Sequence, residues 1–130
     1  ILRETSLKLP PGKLEAALEV WAYVQSRPEP SKAILTMGKR DVGSDAGLPA
    51  PLVWFRPGAM DRPEPVPFGH QVTGLNDQHC HVALPRESPL RVGDMVGFGI
   101  GHPCTTFDKW QLMMVVDEDY TVIDAIRTFF

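Results

Sequence analysis

Apolar residues fall in short runs cut by Gly, Pro and acidic positions, at roughly the four-to-eight-residue length of strands rather than the longer stripe of a helix. On that pattern strands are predicted over residues 20–24, 33–37, 52–55, 72–75, 79–84, 94–100, 112–116 and 121–128. One short helix is predicted over residues 13–19, where Leu14, Ala17 and Leu18 share a face. The β-branched and aromatic run that begins at Val20 and Trp21 then turns the pattern to strand. Asp117, Glu118 and Asp119, between the last two strands, form a solvated hairpin turn.

Composition reinforces this reading: 13 prolines and 11 glycines punctuate the 130 residues. The fold class is therefore mainly β, a small barrel or sandwich of about eight short strands. Residues 57–67 hold Pro57, Pro63, Pro65 and Pro67. Proline donates no ladder hydrogen bond, so this stretch is a surface loop and not a central strand. The length fits one domain spanning 1–130. The apolar end Phe129-Phe130 predicts a docked terminus. Ile1 in place of an initiator methionine suggests a fragment of something longer.

The net charge of -3 is scattered in sign along the chain, which excludes a nucleic-acid-binding face. No apolar run approaches the length of a membrane helix, so no membrane partner is expected. Cys80 and Cys104 are too few for a disulfide scaffold and point to reduced thiols in the cytoplasm.

All four histidines and both cysteines lie within residues 70–104: His70, His79, Cys80, His81, His102 and Cys104. Imidazole nitrogen and thiolate sulfur are ligands that zinc prefers. If both pairs lie on strands, His102 and Cys104 share one face, as do His79 and His81 with Cys80 opposed, and together they make a four-ligand site. The rival reading is chance spacing around buried structural cysteines, because no CxxC or HExxH motif is present. The polar run Gly38-Lys39-Arg40-Asp41 reads as a solvated loop. Gly97, Gly99 and Gly101 lack the following helix of a phosphate loop, and Trp21, Trp54 and Trp110 serve the core or an interface.

Several ordered blocks carry a family resemblance: residues 17–28, 38–41, 45–49, 75–79, 90–94 and 102–110, the last reading His-Pro-Cys-Thr-Thr-Phe-Asp-Lys-Trp. Over these the sequence resembles the C-terminal domain of the D-serine dehydratase and D-threonine aldolase family, alanine-racemase-like enzymes that carry pyridoxal phosphate on an N-terminal barrel. Leu75-Asn76-Asp77-Gln78-His79 and the closing Asp124–Phe130 segment are most similar to bacterial amino acid or D-serine deaminases.

The resemblance implies a lyase that eliminates the β-hydroxyl of a D-amino acid substrate to give oxoacid and ammonia, in a homodimer. Aldol cleavage by a D-threonine aldolase, or a non-catalytic metal-binding and docking module, are the alternatives. It implies His102 and Cys104 as ligands of a divalent metal, zinc in the dehydratases, whereas some aldolases place Asp second and use manganese or magnesium. His79 becomes a candidate active-site contact. The family's Schiff-base lysine and phosphate loops belong to the barrel, which these residues lack, and Lys39 is not their substitute. No cofactor-binding or catalytic residue is assigned in this chain, which is expected to be inactive alone. Cys80 departs from the Gly or Ala more usual in relatives.

Overall fold

The structure, a computed structural model, describes residues 16–130. Its first strand, β1 (Glu19–Glu29), is the longest and organises the rest. Val20, Ala22 and Val24 alternate inward along it, so every second side chain joins the core. Its first half pairs antiparallel with β7 (Met95–Gly99), from Glu19 opposite Gly99 to Tyr23 opposite Met95. Its second half pairs with β2 (Lys32–Leu35), and the register shifts on either side of Ser26. A strand that changes partner midway and carries irregularities bends the sheet around itself.

The main sheet is completed by β3 (Ala50–Phe55), β4 (Glu64–Pro65), β5 (Gln71–Leu75) and β6 (Cys80–Ala83) in the order β4-β3-β7-β1-β2-β6-β5. It is antiparallel throughout and curls into a half-barrel, so that β3 and β5 approach each other. Phe98, Leu35, Met37, Leu90, Val24 and Val96 fill the concave side. A separate pair, β8 (Leu112–Val116) and β9 (Val122–Arg127), forms a second sheet.

The mainly β expectation holds, with nine strands among the described residues in place of about eight. The extra strand is β4, two residues inside the proline-dense stretch. It lies at the sheet edge against β3, where Pro65 forfeits no central hydrogen bond. The expected helix over 13–19 falls partly outside the described residues. Ala16, Ala17 and Leu18 have no regular structure, and Glu19 already opens β1, because the inward alternation from Val20 outweighs the local helical spacing. A four-residue helix, α1 (Cys104–Phe107), stands where none was expected. The terminus is not docked: Phe129 and Phe130 are 89% and 79% exposed. No helix among the described residues is long and apolar enough to cross a membrane.

Three charged side chains brace the interior. Asp94 is 2% exposed and receives Nε and a terminal nitrogen of Arg56 at 2.8 and 2.9 Å, plus the Arg91 amide at 2.7 Å. That pairing pushes the Arg56 guanidinium pKa upward. Arg27 donates to the carbonyls of Ser88, Leu90 and Arg86, clamping the segment between β6 and β7 to β1, and to that of Pro30 in the β1–β2 turn. Lysine has no planar fork with which to make that contact.

Candidate metal-binding corner

The corner is built where the β2–β3 connection meets the segment after β7. Thr106, fully buried, accepts the Gly43 amide at 3.0 Å. A Cβ at Gly43 would overlap the Thr105 side chain, so only glycine lets the two segments approach this closely. Trp110 Nε1 donates to the Asp41 carbonyl at 2.8 Å, tying the residues after α1 to the same connection. Gly38 sits against Asp77 and Gln78 with no room for a side chain, and the Lys39 and Arg40 amides donate to the Asn76 and Asp77 carbonyls. Residues 38–45 therefore bridge the corner at 102–106 and the loop that carries His79.

Within the corner His102 and Cys104 are not on a strand. Pro103 has helical dihedrals (φ -57, ψ -37) and α1 starts at Cys104, so the strand-type reason for pairing them is replaced by a tight helical turn. The Thr106 amide donates to the Pro103 carbonyl at 2.9 Å and closes that turn. His102 Nδ1 lies 2.5 Å from Asp45 Oδ2, and Thr105 Oγ1 donates to Asp45 Oδ1 at 2.9 Å. Those two hydrogen bonds, that from His102 foremost, lower the Asp45 pKa below the ordinary carboxylate value. The Cys104 side chain is exposed and is a free thiol.

The other sequence-predicted ligands lie apart. His79 lines a polar recess of about 530 Å³ with Gln25, Thr36, Arg40, Asp41 and Gln78. His81 Nε2 meets Asn76 Oδ1 at 2.5 Å on β6. Cys80 points the opposite way into the core, as strand alternation requires, and burial pushes its thiol pKa up to about 12. His70 is held between the Pro67 carbonyl and Ser88 Oγ, both at 2.7 Å, which is a structural role. Among the described residues no three His, Cys, Asp or Glu side chains converge as a metal cage, so the four-ligand arrangement does not form. His79 precedes β6 and belongs to the loop, which is why it does not act as the strand partner of His81.

The donor chemistry of the corner nevertheless suits a divalent metal bound with open positions. An imidazole and a thiol, two residues apart and both reachable by solvent, are borderline-soft donors of the zinc type. Sequence spacing missed Asp45, whose contact with His102 spans 57 residues. The only sign of it was its place in one of the ordered blocks.

A family model described as "Putative serine dehydratase domain" matches residues 17–116. The chain belongs to that family. Among solved structures, the chain is similar to a D-threonine aldolase from Filomicrobium marinum, with a TM-score of 0.70 and 23% identity over 87% of its residues. It spans 28% of that longer chain, and at this identity the likeness concerns the fold. No curated protein sequence matches the domain.

Proposed function

We propose that this chain is the C-terminal metal-binding domain of a pyridoxal-phosphate- and metal-dependent D-amino-acid deaminase of the D-serine dehydratase type. The observation that carries this reading is the family match over residues 17–116, which includes the whole 102–106 corner and the His79 loop. His102 and Cys104 are the residues that would hold the metal, with zinc favoured by the thiol. The cofactor would be held by an N-terminal alanine-racemase-type barrel, in a cytoplasmic homodimer. Pyridoxal phosphate, when bound, would supply an electron sink to the reaction. A metal held by His102 and Cys104 would supply Lewis acidity toward a substrate hydroxyl.

This chain's own contribution is placement. Gly43, Thr105 and Thr106 fix the corner against residues 38–45, so His102 and Cys104 leave the scaffold at a defined angle. The recess lined by His79 and Arg40, which residues 38–45 link to the corner, is polar and open, suited to a small charged substrate. On this reading the cofactor lysine belongs to the barrel, and the domain alone is expected to be inactive.

Aldol cleavage is the second reading, by analogy with the D-threonine aldolase whose fold the chain shares. Cys104, where some aldolases carry Asp, weighs for deamination. The deciding experiment assays a chain in which a barrel precedes this domain, with D-serine and D-threonine, with and without chelator. Ammonia and oxoacid that disappear on chelation, and that fall strongly in His102→Ala and Cys104→Ala but little in His70→Ala, are expected. Glycine and aldehyde as products would select the aldolase. Turnover unaffected by chelator, or equal losses in all three variants, would remove the metal assignment.

A further inference from the structure

Asp45 has an arrangement that ordinary surface solvation does not require. Its two carboxylate oxygens are both committed to the same corner, Oδ2 to His102 Nδ1 at 2.5 Å and Oδ1 to the Thr105 hydroxyl at 2.9 Å. The Thr105 hydroxyl also lies 3.2 Å from the His102 carbonyl, so the three side chains form a closed set around one backbone turn. The carboxylate is brought there by the backbone approach at Gly43, two residues upstream, where any side chain would collide with Thr105. Exposure of 53% at Asp45 and 38% at His102 shows that neither is placed by burial in the core.

An ionised carboxylate only accepts hydrogen bonds, so the short contact requires His102 Nδ1 to carry the proton. In the neutral imidazole the lone pair then sits on Nε2, on the ring edge turned away from Asp45. Resting on the metal reading above, we propose that Asp45 is a positioning residue, which holds His102 in the Nδ1–H tautomer and at a fixed ring angle so that Nε2 is presented for a divalent metal beside Cys104. A carboxylate behind a ligating histidine raises the ring's basicity and removes the cost of choosing a tautomer, and losing such a partner lowers metal affinity by about 10–100-fold. Thr105 acts one step further out, since it orients the carboxylate and not the ring.

The test uses the 130-residue chain and two readouts that need no turnover. In metal-free protein, nitrogen-15 NMR of the imidazoles is expected to find His102 as the Nδ1–H tautomer, changing to a mixture with Nε2–H in Asp45→Ala. Titration with zinc or cobalt(II) is expected to give affinity about 10–100-fold weaker in Asp45→Ala. Asp45→Asn should retain much of the affinity, because its amide oxygen still accepts from Nδ1. Circular dichroism confirms that the variants fold. If the unsubstituted chain binds the metal and Asp45→Ala binds it as tightly with an unchanged tautomer, the positioning role fails while His102 and Cys104 stand. Equal loss in Asp45→Asn and Asp45→Ala would also overturn it, by making Asp45 a ligand in its own right. No uptake of metal by the unsubstituted chain would overturn the metal reading and this inference together.

Discussion

At the scale of single residues, the two cysteines have opposite chemistry. Cys80 is buried with its pKa pushed up to about 12, so its thiolate is scarce at neutral pH, whereas Cys104 is exposed. One thiol per chain is therefore expected to react rapidly with an alkylating reagent near neutral pH, and peptide mass spectrometry should place the label on Cys104. Rapid labelling of Cys80 would contradict its burial. Thr106 offers a second check, because its buried hydroxyl is the acceptor for the Gly43 amide. Thr106→Val keeps the shape but leaves that amide without a partner, and a loss of about 1–3 kcal/mol in urea denaturation is expected. His102 and Cys104 were legible as candidates because they lie close in sequence. Asp45 was not, since a contact between distant residues is set by how the β2–β3 connection folds back and not by any local period.

Among the elements, the β8–β9 hairpin shows both what the sequence pattern revealed and what it hid. Its turn was readable: Asp117 Oδ1 accepts the amides of Asp119 and Thr121, as acidic turn residues do. Its attachment was not readable. Tyr120 holds a positive φ of 61° and packs its ring edge-on against Trp21, with centroids 5.4 Å apart, while its hydroxyl donates to Glu19. Desolvation, with the neighbouring Glu19 charge and hydrogen bond, pushes the Tyr120 pKa up to about 12. Cys80 and Tyr120 thus both bind their protons more tightly folded than unfolded. The stability they contribute is complete below their ordinary values of 9.0 and 10.0 and is lost as pH rises toward about 12. Denaturant midpoints should fall across that alkaline interval. Tyr120→Phe should flatten part of the fall, and at neutral pH it should speed amide exchange in β8 and β9 more than in β1. Unchanged exchange in the hairpin would mean that the hydroxyl does not anchor it. Over residues 16–19 the predicted helix, and at 102–104 the assumed strand geometry, failed for related reasons, since short segments took their shape from tertiary packing.

Over the whole molecule, the main sheet closes around its own core while the hairpin does not. Leu112, Met114, Val122, Ile123 and Ile126 are each 48–63% exposed, and Phe129 and Phe130 extend the apolar surface. A groove of about 970 Å³ between the hairpin and the start of β1, bordered by Leu18, Trp21, Trp110, Met114 and Tyr120, adds to it. A two-stranded sheet with this much bare apolar area favours self-association. Met114→Lys combined with Ile123→Lys is expected to shift the chain toward monomer in light scattering with little change in melting temperature. A large drop in melting temperature would instead place these side chains in the folding core. The curled sheet and its buried alternation were legible from periodicity. The half-closed shape was not, because it arises from β1 exchanging β7 for β2 near Val24.

The three tryptophans occupy three different neighbourhoods. Trp54 is 7% exposed in the main core, Trp21 meets the hairpin edge-on through Tyr120, and Trp110 is bonded to the Asp41 carbonyl beside the corner. Each indole is thus an intrinsic optical probe of one region, and variants retaining a single tryptophan would let fluorescence follow core, hairpin and corner separately. The order in which the three signals change during denaturation would then reveal whether the molecule comes apart in one step or sheds its hairpin first.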